Sequence, residues 1–226
     1  MTKNRPILLQ PYISAERQKN NQLLWENYSR DRDTIGINIG SGTALKAAFL
    51  NCDLQPQYND VFALDVTFPF PWESNSFDYV FSEHMIEHIS YERGNYMLKE
   101  CFRILKPGGV IRIVTPSIEF LCRMFQGYLS PIEKEYVDWA QRQMTPNAPA
   151  SLPSFVFNTF VRSWGHTFIY DRPTLKLTMQ DAGFCQVNEQ KISISGFEFL
   201  NGLEAVHRMP PGFLELESMI FEGCKE

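Results

Sequence analysis

With 226 residues and a formal net charge of −5, the chain has enough length to bury one substantial core, so a single domain with one site is expected. Its lysines and arginines are scattered, which excludes capture of a polyanion by counterion release and sets nucleic acid aside as a partner. Five cysteines without a CxxC pair argue against a closed disulfide framework. MTKNRPILLQP has too short an apolar run for a signal peptide, and no later stretch has the apolar length of a membrane span, so a cytoplasmic protein is expected.

In chain order, Ser14 to Asp33 is polar with a few apolar residues (Leu23, Leu24, Trp25) and predicts a surface helix in an N-terminal extension, 1–33. TIGINIG predicts a first strand ending in the turn of Gly40, Ser41 and Gly42, and ALKAAFL a short helix after it. LNCDL predicts a second strand ending at Asp53, and DVFALDV a third ending at Asp65. After the proline-rich FPFPWESNS, FDYVFS reads as a buried strand. EHMIEHISYERGNYMLKECFRILK carries apolar residues at helical spacing up to Pro107, Gly108 and Gly109. VIRIVTP is a β-branched strand closed by Pro116. Strands alternating with helical segments imply parallel strands joined by right-handed crossovers, hence a doubly wound α/β sheet with helices on both faces.

Residues 117–165 interrupt this rhythm. IEFLCRMFQGYL and PIEKEYVDWAQRQM read as helices, TPNAPASLPS as irregular, and the whole as an insertion over the acceptor side of the sheet. The remaining 166–226 resumes with a helix, RPTLKLTMQDAGF, capped by Gly183. A strand at CQVNEQKISIS follows, and LELESMIFEGCKE is expected as an edge strand.

A glycine turn between strand and helix lets backbone approach a ligand, and a helix N-terminus with free amides favours an anionic group. The dinucleotide fingerprint is incomplete, since Leu45 stands at its third glycine position. Asp53 lies where a carboxylate accepts both hydroxyls of a ribose in an open α/β sheet. Singly, a strand-end aspartate is an ordinary turn former. The ordered set of glycine turn, two acids and LKPGG is more specific.

INIGSG, NCDL, ALDVTFPFPWESNSFDYVFSEHMIEHI and LKECFRILKPGGVIRIVTP together resemble the S-adenosylmethionine-dependent methyltransferases of Rossmann-like fold. The likeness runs from about Thr34 to Pro116, a cofactor-binding core of 34–116, and is strongest to small enzymes associated with polysaccharide or cell-envelope synthesis. It implies a mostly parallel seven-stranded sheet with the last strand antiparallel. It also implies backbone contacts from Ile39, Gly40, Ser41 and Gly42 to the methionine part, Asp53 on the ribose diol and Leu54 against the adenine. Asp65 and the Val66 amide would read the adenine edge, with Ser82 beside the methionine portion. The chain departs from the pattern at Asn38, where an acid is frequent, and at Ala44, where a third glycine is frequent. An amide oxygen at Asn38 still accepts from an ammonium.

HMIEH, from His84 to His88, satisfies the H-x-x-E-H zinc-peptidase pattern, in which two imidazoles on one helix face bind a metal. A zinc hydrolase using His84, Glu87 and His88 is therefore the rival reading, and a non-catalytic cofactor-binding scaffold the third. No metal is expected under the methyltransferase reading, because the same segment follows the fourth strand there. In WGHTFIYD, Trp164, His166 and Tyr170 are candidates for an acceptor pocket or for core, as are Phe155, Phe157 and Phe160 for a lid underside. Methyl transfer from a sulfonium needs mainly positioning. If a hydroxyl must lose its proton, His84 and His166 are the candidate bases. The acceptor is expected to be a small molecule or a saccharide, and the sequence specifies no oligomeric state.

Overall fold

The structure, a computed structural model, describes Gln10 and residues 13–226. Apart from Gln10, the MTKNRPILLQP segment lies outside the described residues. The sheet has seven strands: β1 Gly36–Ile39, β2 Phe49–Asp53, β3 Phe62–Ala63, β4 Phe77–Glu83, β5 Leu105–Pro116, β6 Cys185–Gln190 and β7 Ser218–Cys224. Their order is β3-β2-β1-β4-β5-β7-β6, with β7 antiparallel to both neighbours and the other pairings parallel. Chain direction across the sheet reverses between β1 and β4. A crevice opens beyond the carboxyl ends of strands at such a switch point.

Four expectations are corrected. ALKAAFL forms no helix, because residues 40–48 must bring the chain back to the parallel register Gly36↔Phe49; a crossover with a helix takes about ten to twelve residues or more. Side chains hold this return instead: Asn38 Nδ2 donates to the Ala44 carbonyl at 3.2 Å and to Asn51 Oδ1 at 2.9 Å, and the Lys46 amide donates to Asn51 Oδ1 at 2.8 Å. The third strand is only two residues long and stops before Asp65. The HMIEH segment is not an α-helix: His84 turns the chain at φ +50° and Ile86–His88 make one 3₁₀ turn. Ser90 then caps α2, Tyr91–Ile104, by accepting from the Arg93 amide. The two histidines thus lack the one-turn α spacing of the zinc-peptidase pattern. Finally, β7 lies inside the sheet and β6 at its edge. Burial explains the order, since all of β7 but Cys224 is buried, whereas β6 buries only Val187.

Helix α1, Ala15–Ser29, lies less at the surface than expected. Leu24, Trp25 and Tyr28 pack against the main core, with Trp25 centred 5.9 Å from Trp72 and 5.4 Å from Phe77. Buried Asn21 completes the short edge strand as a second neighbour would: its Nδ2 donates to the Ala63 carbonyl at 2.8 Å and its Oδ1 accepts from the Ala63 amide at 2.9 Å. Asn21→Ala leaves both groups buried and unpaired, so a loss of about 1–3 kcal/mol in urea unfolding is expected. A change within about 0.5 kcal/mol would mean that water replaces the side chain there.

The interruption at 117–165 holds three helices: α3 Ile118–Arg123, α4 Pro131–Met144 and α5 Pro153–Arg162. The last was not foreseen beyond its aromatic stripe; Val156 and Phe160, four residues apart, bury on one face, and Pro153 opens the helix. With α7, Phe213–Glu217, these helices build a second core around Leu121, Tyr136, Val137 and Ala140. Helix α6, Arg172–Asp181, is capped by Asp171 as it enters and followed by Gly183 at φ +110°, as expected.

Candidate active site

A cavity of ≈ 410 Å³ opens at the carboxyl ends of the central strands. Ile39, Gly40, Ser41 and Gly42 line it from β1 and the glycine turn, Asp53 and Leu54 from β2, and Asp65 and Val66 from beyond β3. Ser82, expected in this set, is absent from the lining. Strand β4 runs one residue further than FDYVFS suggests, so Ser82 is paired between Ile39 and Ile113 inside the sheet. Glu83, His84 and Met85 reach the cavity in its place, together with Thr67, His88 and Arg208. The acid after Ser82 was a readable signal; Met85 and Arg208 carried none.

The glycine turn works by closeness rather than by free amides. A Cβ on Gly40 would stand 2.2 Å from Met85 Cγ, and the residue sits at φ +72°, so only glycine fits. The amides of Gly40 and Ser41 both donate to the Cys52 carbonyl at 2.9 Å, and the Gly42 amide donates to Asp53 Oδ2 at 2.9 Å. With those amides taken and no helix following, the expected anion cradle is not formed. Ser41 Oγ, by contrast, is buried and has no hydrogen-bond partner. Asp53 Oδ1 accepts from the Gln55 amide at 2.9 Å. Gln10 clamps the backbone of Asp65 from both sides, at 2.9 and 3.0 Å.

A second cavity, ≈ 480 Å³, shares Glu83, His84, His88 and Arg208 with the first. Trp139 and Met144 of α4, Phe160 of α5 and the following Trp164 and His166 form its far wall. The 117–165 segment therefore covers the same side of the sheet as the glycine turn. WGHTFIYD divides: Trp164 and His166 line the cavity, while Tyr170 is fully buried against Tyr91 and Phe168.

The two candidate bases differ. His84 Nε2 lies 3.1 Å from Ser218 Oγ and its Nδ1 3.5 Å from Glu87 Oε1. Burial opposes its charge, but Glu87, with Glu217 and Glu83 behind it, outweighs burial and lifts the pKa to about 9. Glu87 is fully buried; desolvation would raise its pKa, and His84 reverses this, leaving it below the usual carboxylate range. Glu217, hydrogen-bonded by the Tyr136 hydroxyl, is pushed up by burial. Burial also lowers His166. Its Nδ1 lies 2.6 Å from the Phe160 carbonyl, an acceptor only, so Nδ1 carries the proton of the neutral ring and Nε2 keeps a lone pair.

The seven-stranded mixed sheet, with its helices and its cavity at the switch point, is the Rossmann-like methyltransferase fold. Residues 22–113 match the family model described as a methyltransferase domain. The match covers the segment that carries the glycine turn, Asp53, Asp65 and LKPGG. No curated protein matches the sequence. Among solved structures, it is similar to a SAM-dependent methyltransferase from Thermotoga maritima described as a possible histamine N-methyltransferase. The identity is 18% and the TM-score 0.50, over 86% of this chain and 84% of that one. A possible exported protein from Bordetella parapertussis is 12% identical with TM-score 0.50, over 99% of this chain and 76% of that one. The S-adenosylmethionine-dependent methyltransferase SibL is 16% identical with TM-score 0.50, over 93% of this chain and 55% of that one. At these identities the likeness is one of fold.

Proposed function

We propose that this chain is a methyltransferase that holds S-adenosylmethionine in the cavity at the ends of β1 to β4 and methylates a small molecule or saccharide held in the adjoining cavity. The observation that carries this is the wall of Glu83, His84, His88 and Arg208 common to both spaces, because donor and acceptor must meet across a shared boundary. The residues present fit the cofactor: a Cβ on Gly42 would meet nothing within 4 Å, the orphaned Ser41 Oγ is a buried donor seeking a partner, and a carboxylate stands at the end of β2. Ile39, Gly40, Ser41 and Gly42 take the methionine part and Asp53 the ribose diol. Leu54 lies against the adenine, and Asp65 with the Val66 amide reads its edge. Ser82 is enclosed in β4 outside the cavity lining, and its Oγ, like that of Ser41, is buried without a hydrogen-bond partner.

The cofactor supplies an activated methyl group on a sulfonium. The protein's part is to orient the two partners and exclude water, with the aromatic wall of Trp139, Phe160 and Trp164 over the acceptor. His166 presents Nε2 there. His84, with both ring nitrogens engaged, is a positioning group rather than a base. Three carboxylates around the second cavity, Glu83, Glu87 and Glu217, repel polyanions, in keeping with an acceptor other than nucleic acid. The chain acts as one methyltransferase unit with 117–165 as its acceptor-side cover. Its five free cysteines suit a reducing cytoplasm. No helix among the described residues is long and apolar enough to cross a membrane.

S-adenosylhomocysteine is expected to raise the melting temperature, since a ligand at a hundred times its Kd adds about 2.7 kcal/mol to stability. Labelled methyl from S-adenosylmethionine should then appear in the small-molecule or saccharide fraction of cell material. No melting shift would remove the cofactor site, and a shift without transfer into any fraction would point to a binding scaffold. Label confined to nucleic acid would overturn the acceptor class.

A further inference from the structure

We propose that Glu87, His88 and His166 form a divalent-metal site opening into the acceptor cavity, where the ion takes an acceptor hydroxyl as a ligand. The acceptor role rests on the reading of that cavity given above; the metal site does not. Three of the four histidines in the chain border this cavity. One ligand atom each from Glu87, His88 and His166 lies within 4.8 Å of the others. Ligands about 2.0–2.2 Å from a shared ion stand roughly 3–4 Å apart, so small side-chain rotations bring these three onto one ion. The set differs from the sequence pattern His84, Glu87, His88, because the 3₁₀ turn carries His84 toward Ser218 and the chain beyond α5 brings His166 in.

Two further observations point to a ligand. Glu87 is 0% exposed; its Oε2 accepts from Thr115 Oγ1 at 2.9 Å and its Oε1 pairs with His84 Nδ1 at 3.5 Å, so a buried anionic carboxylate is held in place beside the rings of His88 and His166. His166 is already oriented as metal-bound histidines are, one ring nitrogen held by a backbone carbonyl and the other open. His88 stands edge-on to it at 4.9 Å between ring centroids, on the exposed side where a cation can enter.

Two imidazoles and a carboxylate suit first-row divalent ions such as zinc, cobalt, iron(II) or manganese. Three protein ligands leave positions open for the acceptor. A hydroxyl on the ion loses its proton more readily. That proton passes to solvent, the oxygen–methyl bond forms as the sulfur–methyl bond breaks, and the electron pair stays on sulfur, giving S-adenosylhomocysteine. His166 then acts through the ion and takes no proton itself.

The test uses the full chain stripped with a chelator and titrated with cobalt(II), read by calorimetry and by visible absorption. One equivalent per chain is expected. His88→Ala, His166→Ala and Glu87→Gln should each weaken it by about tenfold or more, while His207→Ala leaves it unchanged. S-adenosylhomocysteine affinity, measured in parallel, should survive His166→Ala and His207→Ala, which lie outside the cofactor cavity, and this separates loss of the metal from loss of the cofactor site. Should Glu87→Gln or His166→Ala misfold, exposed His88→Ala decides. Catechol, as a chelating hydroxyl probe, should shift the cobalt bands. Absence of stoichiometric binding, or equal affinity in His88→Ala, would overturn the site and leave the cluster a structural ion pair beside two edge-on rings. Binding without a catechol shift would overturn its role toward the acceptor.

Discussion

Asp53→Ala is expected to weaken S-adenosylhomocysteine by roughly ten- to more than a hundredfold, with unchanged far-ultraviolet dichroism. A carboxylate accepting two ribose hydroxyls makes charge-assisted bonds, and losing hydrogen bonds to a charged group costs about 1.5–3 kcal/mol; each 1.4 kcal/mol is about tenfold in affinity. The surroundings place the effect toward the upper end. Asp53 Oδ2 also receives the Gly42 amide and Oδ1 the Gln55 amide, both at 2.9 Å, so the alanine loosens the turn as well as removing the ligand. The core is little affected, because Asp53 is only partly buried at the last position of β2. Asp53→Asn, which keeps one oxygen acceptor, should fall between the two. Calorimetric titration reads the difference directly, and unchanged affinity in the alanine variant would remove Asp53 from the cofactor site.

The largest loss of stability is expected at Arg112, in the middle of β5. Its side chain is fully buried, with Nε donating to Glu204 Oε1 and Nη1 to Glu222 Oε1, each at 2.6 Å. Nη1 also donates to the Ile194 carbonyl and Nη2 to the Lys191 carbonyl, both at 3.0 Å, and Glu204 Oε2 accepts from the Ser193 amide at 2.8 Å. Breaking a buried ion pair by removing one partner costs about 3–5 kcal/mol, because the remaining charge is left uncompensated. Arg112→Ala strands two such charges and is expected to lie at or above the top of that range in urea unfolding. The damage should reach the site, since the Ala205 amide next to Glu204 donates to Glu83 Oε1 at 2.8 Å on the wall shared by both cavities. Replacing all three charges with apolar residues of similar volume should recover most of the stability. A loss below about 1 kcal/mol in Arg112→Ala would show that water enters to hydrate the carboxylates.

Local pattern determined much of this protein by itself. The β-rich run before Gly40, the acid at the end of LNCDL and the β-branched VIRIVTP each mark a strand within a short window. Parallel strands alternating with helices bring strand carboxyl ends to one edge, so Gly40, Asp53 and Asp65 were legible as neighbours before any coordinates. Where short windows failed, distant partners decided. Return to a parallel register removed the helix expected at ALKAAFL, and pairing on both sides enclosed Ser82 and passed its place to Glu83. The MIF run in the last strand hinted that both faces are buried, but its insertion between β5 and β6 depends on which exposed edge the rest of the fold leaves. Arg112 stood inside the β-branched run VIRIVTP; Glu204 and Glu222, far along the chain, make its burial tolerable. His166 joins Glu87 and His88 only because the Thr167 and Phe168 amides donate to the Glu87 carbonyl, at 2.7 and 3.1 Å. Periodicity over a few residues encodes an element and the face it buries. Which elements meet is set by free energies summed over the whole chain, and no short window of the sequence contains that sum.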